Sequence, residues 1–233
     1  MNKMRLQDLI ERIDDVTELD NEIQDLLPYV KVIAKAYRWI RKKRIIQFLK
    51  TLDRVSSFDE SFQKRFQEYV LSRTGQELLA DYADAVLLTN SKISQSAFAL
   101  LFADIDCSQY KASFKQMACY SLRGCSDLHA EFFLQLMELP LNERCEVPYA
   151  TRFIKPNVLE EYTSLQSILT TVDEAIVLVN DLIRRGMLMP DHAGARLTNG
   201  NGDWSIVFGV TSTTVMYFEL LKKAKAICGS GDD

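Results

Sequence analysis

Cys125 and His129 are the residues whose types and spacing come closest to a catalytic pair. A helix through both would place a thiol and an imidazole on one face, where they could serve as a nucleophile with its base or as half of a metal site. Structural zinc takes about four ligands, and no CxxC or HxxxH motif supplies the others. Gly124 also places Cys125 before the start of the helix. We therefore predict structural roles for both residues.

Asp104 and Asp106 have the D-x-D spacing that can serve a divalent cation. They stand at a predicted helix boundary, however, where Asp is common because it caps backbone N–H groups. Asp173 and Glu174 are likewise acids of a predicted first turn, which the helix dipole favours. We predict capping and dipole roles for these carboxylates, and hence no metal site.

Gly200 and Gly202 resemble part of a phosphate loop in their spacing alone. No Lys-Ser or Lys-Thr follows them and no strand–loop–helix pattern surrounds them, so a hairpin turn explains them better. His192 lies in a predicted loop beside Pro190 and Gly194 and is expected to be solvated. The sequence contains no complete catalytic or cofactor motif, and we assign no catalytic residue, no metal ligand and no cofactor.

A basic helix is predicted from Tyr29 to Leu52. It carries eight Lys and Arg residues and no acidic residue, although the chain as a whole has a net charge of −4. At 100° per residue its apolar positions fall on two sides, as in a helix that packs against two neighbours or offers one side to a partner. The larger side predicts a core contact and holds Val30, Ile33, Tyr37, Ile45, Phe48 and Leu52.

The second apolar line of this helix is Val32, Trp39 and Ile46, which recur every seven residues among lysines. Solvation of a charged face does not account for a tryptophan at such a position. If the line is exposed, it is the expected partner-binding surface. That predicted surface consists of Val32, Lys35, Trp39, Lys42, Lys43, Ile46 and Lys50.

The sequence does not determine which negatively charged group or partner the basic stripe of this helix contacts. Residues 8–25 carry eight acids, so the stripe could be neutralised within the chain by an antiparallel helical hairpin. Among external partners, a protein or a second copy in a homodimer leads, and anionic membrane is an alternative for peripheral attachment. Nucleic acid is the other alternative. It would be bound through Arg38, Arg41, Arg44, Arg184, Arg185 and Arg196.

The periodicity of the chain predicts a mainly α fold, with an N-terminal helical bundle and a C-terminal winged-helix-like module that contains a small β-hairpin. Residues 1–57 are expected to form an acidic and a basic helix, arranged as a hairpin or as an extension. Residues 58–139 are expected to form the bundle. Its predicted helix starts are a capping box from Thr74, a cap at Asp106 or Ser108, and a cap at Ser126.

Prolines scattered over residues 140–163 predict a linker or an irregular strap across the bundle. Residues 164–228 then show a regular order: a short helix, a capping box from Thr171, a helix that ends at Gly186, and a strand at 187–189. A hairpin signal at 199–203, a further strand and a last helix follow. Residues 229–233 are expected to be a disordered tail.

The stretches TVDEA, LIRRGML and VTSTTVMYFELLKK follow that order, and they resemble winged-helix domains. The whole chain also resembles uncharacterised bacterial proteins that join a helical region to such a module, some of them associated with mobile-element or phage-defence loci. The resemblance implies an architecture and no specific activity.

Winged-helix domains insert the N-terminal end of their second main helix into the major groove of DNA. In this chain Asp173 and Glu174 stand at that end and would face phosphates. This opposes DNA binding through the module.

The composition is that of a globular protein, with 47% hydrophobic and 26% charged residues. The five cysteines are odd in number and resemble no disulfide scaffold, and the N-terminus lacks the apolar core of a signal peptide. No apolar run approaches the roughly 18 residues that span a bilayer. We therefore expect a cytoplasmic protein that acts without catalysis, by binding another macromolecule.

Overall fold

The computed structural model describes residues 28–56, 60–141, 150–154, 172–190 and 205–229. Within these ranges helices predominate and a small three-stranded antiparallel sheet accompanies them, which confirms the mainly α prediction. The helices are α1 (Pro28–Ser56), α2 (Glu60–Leu71), α3 (Arg73–Leu88), α4 (Lys92–Ala103), α5 (Ala112–Leu122), α6 (Asp127–Leu136), α7 (Val172–Arg184) and α8 (Ser212–Gly229). The strands are β1 (Ala150–Ile154), β2 (Met189–Pro190) and β3 (Ile206–Val210). The acidic segment 8–25, the hairpin signal at 199–203 and residues 230–233 lie outside the described residues.

Helix α1 begins at Pro28, a residue suited to a first turn because its missing N–H has no partner to lose there. The helix is 29 residues long and extends the predicted one at both ends. Its C-terminal half buries Ile45, Phe48 and Leu52, all from the side predicted to contact a core, and it packs on α4. The basic helix is therefore built into the fold along this half.

Helix α4 lies at the centre of the helical part. It packs against α1, α3, α5, α6 and α8, and every residue from Ile93 to Ala99 is buried. A helix surrounded in this way is apolar or small on all sides, and the serines and alanines of α4 let its neighbours approach. Phe102 meets four aromatic rings at centroid distances of 5.7 to 6.4 Å, those of Phe48, Phe66, Tyr69 and Tyr82.

Serine side chains mark the starts of α3 and α6. Ser126 caps α6, as predicted, and His129 completes the capping box at the position that Glu or Gln usually holds. The prediction for α3 is wrong, since its cap is Ser72 and not Thr74. Ser72 has extended backbone angles in the short break after α2, so its hydroxyl is already placed to accept the N–H of Gly75.

Helix α5 begins at a residue that gives no side-chain cap. Its N-cap is Lys111, so the predicted cap at Asp106 or Ser108 is wrong. The cause is Asp104 at the end of α4, whose carboxylate organises the connecting loop before α5 can begin. That carboxylate accepts the backbone N–H groups of Ser108, Gln109 and Tyr110.

The sheet has the strand order β1-β3-β2, and both pairings are antiparallel. Strand β2 is Met189–Pro190 rather than the predicted 187–189. Strand β1 lies within 140–163, so the prediction of a linker or strap does not hold for this part. In the sequence, Pro148 and Pro156 each stand two residues beyond an end of the strand. The five residues of β1 show too little alternation to identify a strand without its partner.

One contiguous cluster of buried apolar side chains runs from α1 to α8. Helix α8 packs against α4 and α6, and α7 packs against α6, so elements of the predicted bundle and of the predicted C-terminal module share this core. A polar link joins the same elements. The Ser121 hydroxyl lies 2.7 Å from that of Tyr217 and donates to the carbonyl of Arg185 at 2.6 Å. Periodicity predicts which side of a helix is apolar, and not which element covers it.

Candidate functional site

A groove of about 390 Å³ runs between α1 and the start of α4, and we call it the Trp39 groove. It combines an indole and two isoleucines with lysines on both walls. Such a mixture suits a ligand with apolar and acidic side chains. From α1 the groove is lined chiefly by Trp39, Ile40, Lys43, Ile46 and Lys50, and across from them by Asn90, Lys92, Gln95 and Asp127.

Trp39 is 63% exposed and its neighbour Ile40 is 39% exposed. The Nζ of Lys43 lies 5.1 Å from the centroid of the Trp39 ring, a cation–π contact that steadies the indole at the surface. Lys50 is exposed and Ile46 half-buried. Within the described ranges, neither lysine forms an ion pair. The groove therefore presents open apolar surface beside uncompensated positive charge, which is what a partner would cover.

Other polar side chains of the groove are used by the protein to hold its wall. Arg44 donates to the carbonyl of Leu87 and to the side chain of Asn90, which ties α1 to the end of α3. Asp127 accepts the hydroxyl of Ser91 at 2.7 Å and so joins α6 to the cap of α4. Arg44 and Asp127 are half-buried and used within the fold, whereas the lysines that line the groove are exposed.

The structure divides the predicted partner-binding residues into three groups. Lys42 is exposed on α1 and does not line the groove. Val32 and Lys35 lie in α1, in the part that precedes the side chains described by the structure. The remaining four predicted residues line the groove: Trp39, Lys43, Ile46 and Lys50.

Ile40 and Lys92 also line the groove but were absent from the predicted set. Ile40 follows Trp39 directly, so it does not fit the seven-residue spacing that defined the apolar line. An apolar residue adjacent to the tryptophan was nevertheless a usable signal. Lys92 starts another helix, and nothing in the sequence indicates that α4 would face α1 at this point.

Arg184 and Arg185 both hydrogen-bond Asp181, at 2.5 and 2.6 Å. Arg185 also donates to the carbonyls of Ser121 and Arg123, and so ties α7 to the end of α5. Burial alone would raise the pKa of Asp181, but hydrogen bonds from the two guanidinium groups outweigh it and hold that pKa below its usual value. Arg185 is thus a structural link, whereas the Arg184 side chain stays 78% exposed.

The other arginines of the nucleic-acid alternative also differ in their surroundings. Arg44 belongs to the groove wall, and Arg41 is exposed on α1. Arg38 lies in α1 ahead of the described side chains. Arg44 and Arg185 already use guanidinium N–H groups for hydrogen bonds that hold their helices in the fold, which limits how they could turn toward a phosphate. Positions outside the described part of the chain include Arg196, His192, Gly200 and Gly202.

Cys125 and His129 contact different partners. The Cys125 thiol is buried and donates to the carbonyl of Ser121 at 3.5 Å, and burial raises its pKa to about 11. His129 is held by Ser126 at Nδ1, at 2.6 Å, and by Asp181 at Nε2, at 3.3 Å. Burial lowers the pKa of His129. A protonated thiol and an imidazole occupied at both nitrogens give a structural arrangement, and no thiolate nucleophile.

Asp104 and Asp106 point to separate partners and form no shared cation site. Besides its loop hydrogen bonds, Asp104 pairs with the buried Lys115 at 3.4 Å. Burial would raise the pKa of Asp104, but the hydrogen bonds from the loop and from Ser108, with this lysine, lower it. Asp106 pairs with Arg65 at 2.6 Å. Across the described ranges, no three His, Cys, Asp or Glu side chains converge as metal ligands would.

Helix α7 carries a second exposed apolar surface that the sequence did not single out. Val177 is 65% exposed and Ile176 is 40% exposed. These two residues lie in one stripe at 100° per residue with three further exposed residues of the helix. We call this stripe the α7 face, and it consists of Asp173, Ile176, Val177, Asn180 and Arg184.

No protein-family model, curated protein or solved structure matches this chain. Among the helices that the structure describes, none has both the length and the continuous apolar character that crossing a bilayer requires.

Proposed function

We propose that the protein is a non-enzymatic interaction protein that binds a protein partner in the Trp39 groove. The observation that carries this proposal is the 63% exposure of Trp39 in a groove whose outward charges are lysines. Covering an indole removes a large apolar area from water, and tryptophans are frequent centres of binding energy at interfaces. Lys43 and Lys50 favour carboxylates next to that apolar contact.

The partner segment that fits this groove is an amphipathic helix with apolar and acidic side chains. Such helices lay their apolar face into a groove and leave charges at its rim. Residues 8–25 of the same chain carry eight acids, so we propose them as the segment within the chain that would compete for the groove. Replacing those eight acids with amides would raise the affinity for an external partner if the segment competes, and leave it unchanged if it does not.

We also infer a winged-helix-like module in the C-terminal part. The order α7, Gly186, β2, β3, α8 supports it, and Gly186 ends α7 with a φ of +73°, a conformation that favours glycine. Strand β1 would belong to the module, which would then begin before residue 164. Kinship with the bacterial helical proteins that carry such modules, some from mobile-element or phage-defence loci, is part of this inference.

Two features of α7 favour a protein partner over DNA for this module. Asp173 and Glu174 are exposed in the first turn of the helix, where they would repel phosphates. Arg185 is engaged in the contact between α7 and α5. The apolar pair Ile176 and Val177 next to these charges is typical of a surface that another protein covers.

The groove is tested with a fluorescently labelled synthetic helix that carries leucines at helical spacing and glutamates elsewhere. A scrambled peptide of the same composition is its control. We expect the helix to bind, and Trp39→Ala to weaken binding by roughly tenfold or more. Trp39→Phe should abolish the change in tryptophan emission on binding.

The charge requirement is tested by Lys43→Glu with Lys50→Glu, which should abolish binding of the acidic helix. The matched control is Lys64→Glu with Lys111→Glu, two exposed lysines outside the groove. The control should bind as the wild type does. A wild-type protein that ignores the peptide, or an equal loss in both double variants, would contradict the proposal.

Nucleic acid is a second candidate, favoured by the consecutive exposed side chains of Arg41, Lys42 and Lys43. It predicts binding to duplex DNA or RNA that weakens steeply with salt, because bound phosphates release counterions. Anisotropy with labelled duplexes, with and without Lys42→Glu and Lys43→Glu, measures this. Failure to bind at low salt rules it out. Co-sedimentation with anionic vesicles, compared with neutral vesicles, tests the alternative of membrane attachment, and failure to co-sediment rules that alternative out.

A further inference from the structure

We propose that two copies of this protein associate through their α7 faces, with the two helices packed antiparallel about a two-fold axis. This inference goes beyond the Trp39 groove, because it concerns different residues on a different helix. Its starting point is the apolar centre of the α7 face. Ile176 and Val177 lie near the middle of the 13-residue helix and are 40% and 65% exposed.

The charges of the α7 face are arranged so that the face complements itself. Asp173 lies at its N-terminal end and Arg184 at its C-terminal end, a separation along the axis of roughly 16 Å at 1.5 Å per residue. Two antiparallel copies therefore bring Asp173 of each subunit against Arg184 of the partner subunit, twice in the same register. A parallel pair would oppose like charges at both ends instead.

Arg184 remains able to make this contact although it already bonds Asp181. One N–H of its guanidinium is used at 2.5 Å, and the side chain is 78% exposed. A guanidinium offers five N–H donors, so several are left for a carboxylate of the partner subunit.

A second copy is the occupant that this pattern favours, because a two-fold contact requires one surface to match itself. A face with acid at one end, base at the other and apolar side chains between them meets that requirement. One helix face is smaller than a standard interface, so the dimer should be weak.

Sedimentation velocity of the full chain, from low micromolar to near-millimolar concentration, tests the proposal. The wild type should dimerise, and Val177→Lys should raise the dissociation constant by roughly tenfold or more, because it removes the apolar centre and places like charges across the axis. Val215→Lys is the matched control. Val215 is also an exposed valine, on α8, and its substitution should leave the dimer intact.

A charge exchange tests the register independently of the apolar centre. Asp173→Arg and Arg184→Glu should each weaken self-association, since each opposes like charges at both ends. Mixed together, the two variants should form a heterodimer in which both pairs are again opposite in sign. Circular dichroism melting of each variant checks that it is folded.

Several results would overturn the proposal. A wild type that stays monomeric at every concentration is one of them. Equal weakening by Val215→Lys and Val177→Lys is another, and so is a mixture of the charge variants that associates no better than either alone. A dimer that Trp39→Ala dissolves but Val177→Lys does not would assign self-association to the groove.

Discussion

The Trp39 groove and the α7 face both expose apolar side chains beside charges, but they differ in shape and in the sign of those charges. The groove is concave, and its outward charges are lysines. The α7 face is a convex helix surface with Asp173 at one end and Arg184 at the other. A surface whose exposed charges are mainly positive complements itself poorly, whereas a surface with acid at one end and base at the other can complement itself. The comparison thus distinguishes the Trp39 groove, proposed to bind an acidic segment of another protein, from the α7 face, proposed to bind a second copy of this chain.

The two regions also differ in how the fold supports them. The groove depends on Arg44, which joins α1 to the end of α3. The α7 face depends on Asp181 and Arg185, which join α7 to α5. Both regions stand on the same hydrophobic core. Single substitutions can therefore be chosen that disrupt both surfaces, only one of them, or neither of them.

The largest effect should come from Phe102→Ala, which removes the ring that meets Phe48, Phe66 and Tyr82. We expect a loss of about 3 to 5 kcal/mol in the free energy of unfolding, measured by urea denaturation, because the cavity cannot close among packed rings. Both groove binding and self-association should fail together. Leu71→Ala, at a 63% exposed position, is the control. A loss in Phe102→Ala no larger than in this control would show that the two regions do not share the core.

Asp181→Asn should have the next largest effect and should distinguish the two regions. It leaves Arg184 and Arg185 without their carboxylate, so we expect a loss of about 1 to 3 kcal/mol at neutral pH. Self-association should weaken while groove binding is unchanged. Asp84→Asn, at an exposed carboxylate outside this cluster, should change stability by less than about 0.5 kcal/mol.

The effect of Asp181→Asn should also depend on pH. The folded pKa of Asp181 lies below its unfolded value, so its contribution is complete above about pH 4 and is lost as the pH falls through the folded pKa. The difference in unfolding free energy between wild type and variant should therefore shrink below about pH 4. A difference that stays constant, or grows, in acid would contradict this role of Asp181.

A smaller effect is expected from Arg44→Ala, which separates the wall of the groove from its ligand contacts. Loss of its hydrogen bonds to Leu87 and Asn90 should cost about 1 kcal/mol in the free energy of unfolding and also weaken peptide binding. Lys43→Ala should weaken peptide binding with stability unchanged. Thermal melts together with peptide titrations measure both. If the two variants behave alike, Arg44 is not a wall residue.

The smallest effect should come from Tyr82→Phe, at a residue in neither region. The Tyr82 hydroxyl is buried without a hydrogen-bond partner among the described residues, and burial raises its pKa. Removing an unsatisfied buried hydroxyl should leave stability unchanged or increase it by up to about 1 kcal/mol. Both binding activities should be retained. A clear loss of stability in denaturation curves would indicate that the hydroxyl has a partner.

Some features of this fold could be predicted because their causes are local in the chain. Ser126 caps α6 and Gly186 ends α7, each through the backbone of its own turn. The apolar side of α1 could be predicted in the same way, and it buries Ile45 and Phe48. The capping signal at Thr74 lay two residues from the observed cap, Ser72.

Other features could not be predicted because they depend on contacts between distant segments. Strand β1 is recognisable through its pairing with β3. Lys92 joins the groove because α4 packs against α1, and Arg185 is removed from the nucleic-acid candidates because carbonyls of α5 accept its hydrogen bonds. None of these partners lies within one helical turn of the residue it determines.

The sequence by itself determined that the chain is mainly helical, where several helices begin and end, and that α1 has two apolar sides. These properties follow from side-chain periodicity and from backbone preferences within a few residues. Only the tertiary structure decided which apolar side chains are covered. Phe48 is covered because α4 lies against it, while Trp39 and Val177 stay exposed because no described element packs over them. Burial is a property of which segments meet, and that is set by packing the whole core rather than by any one helix.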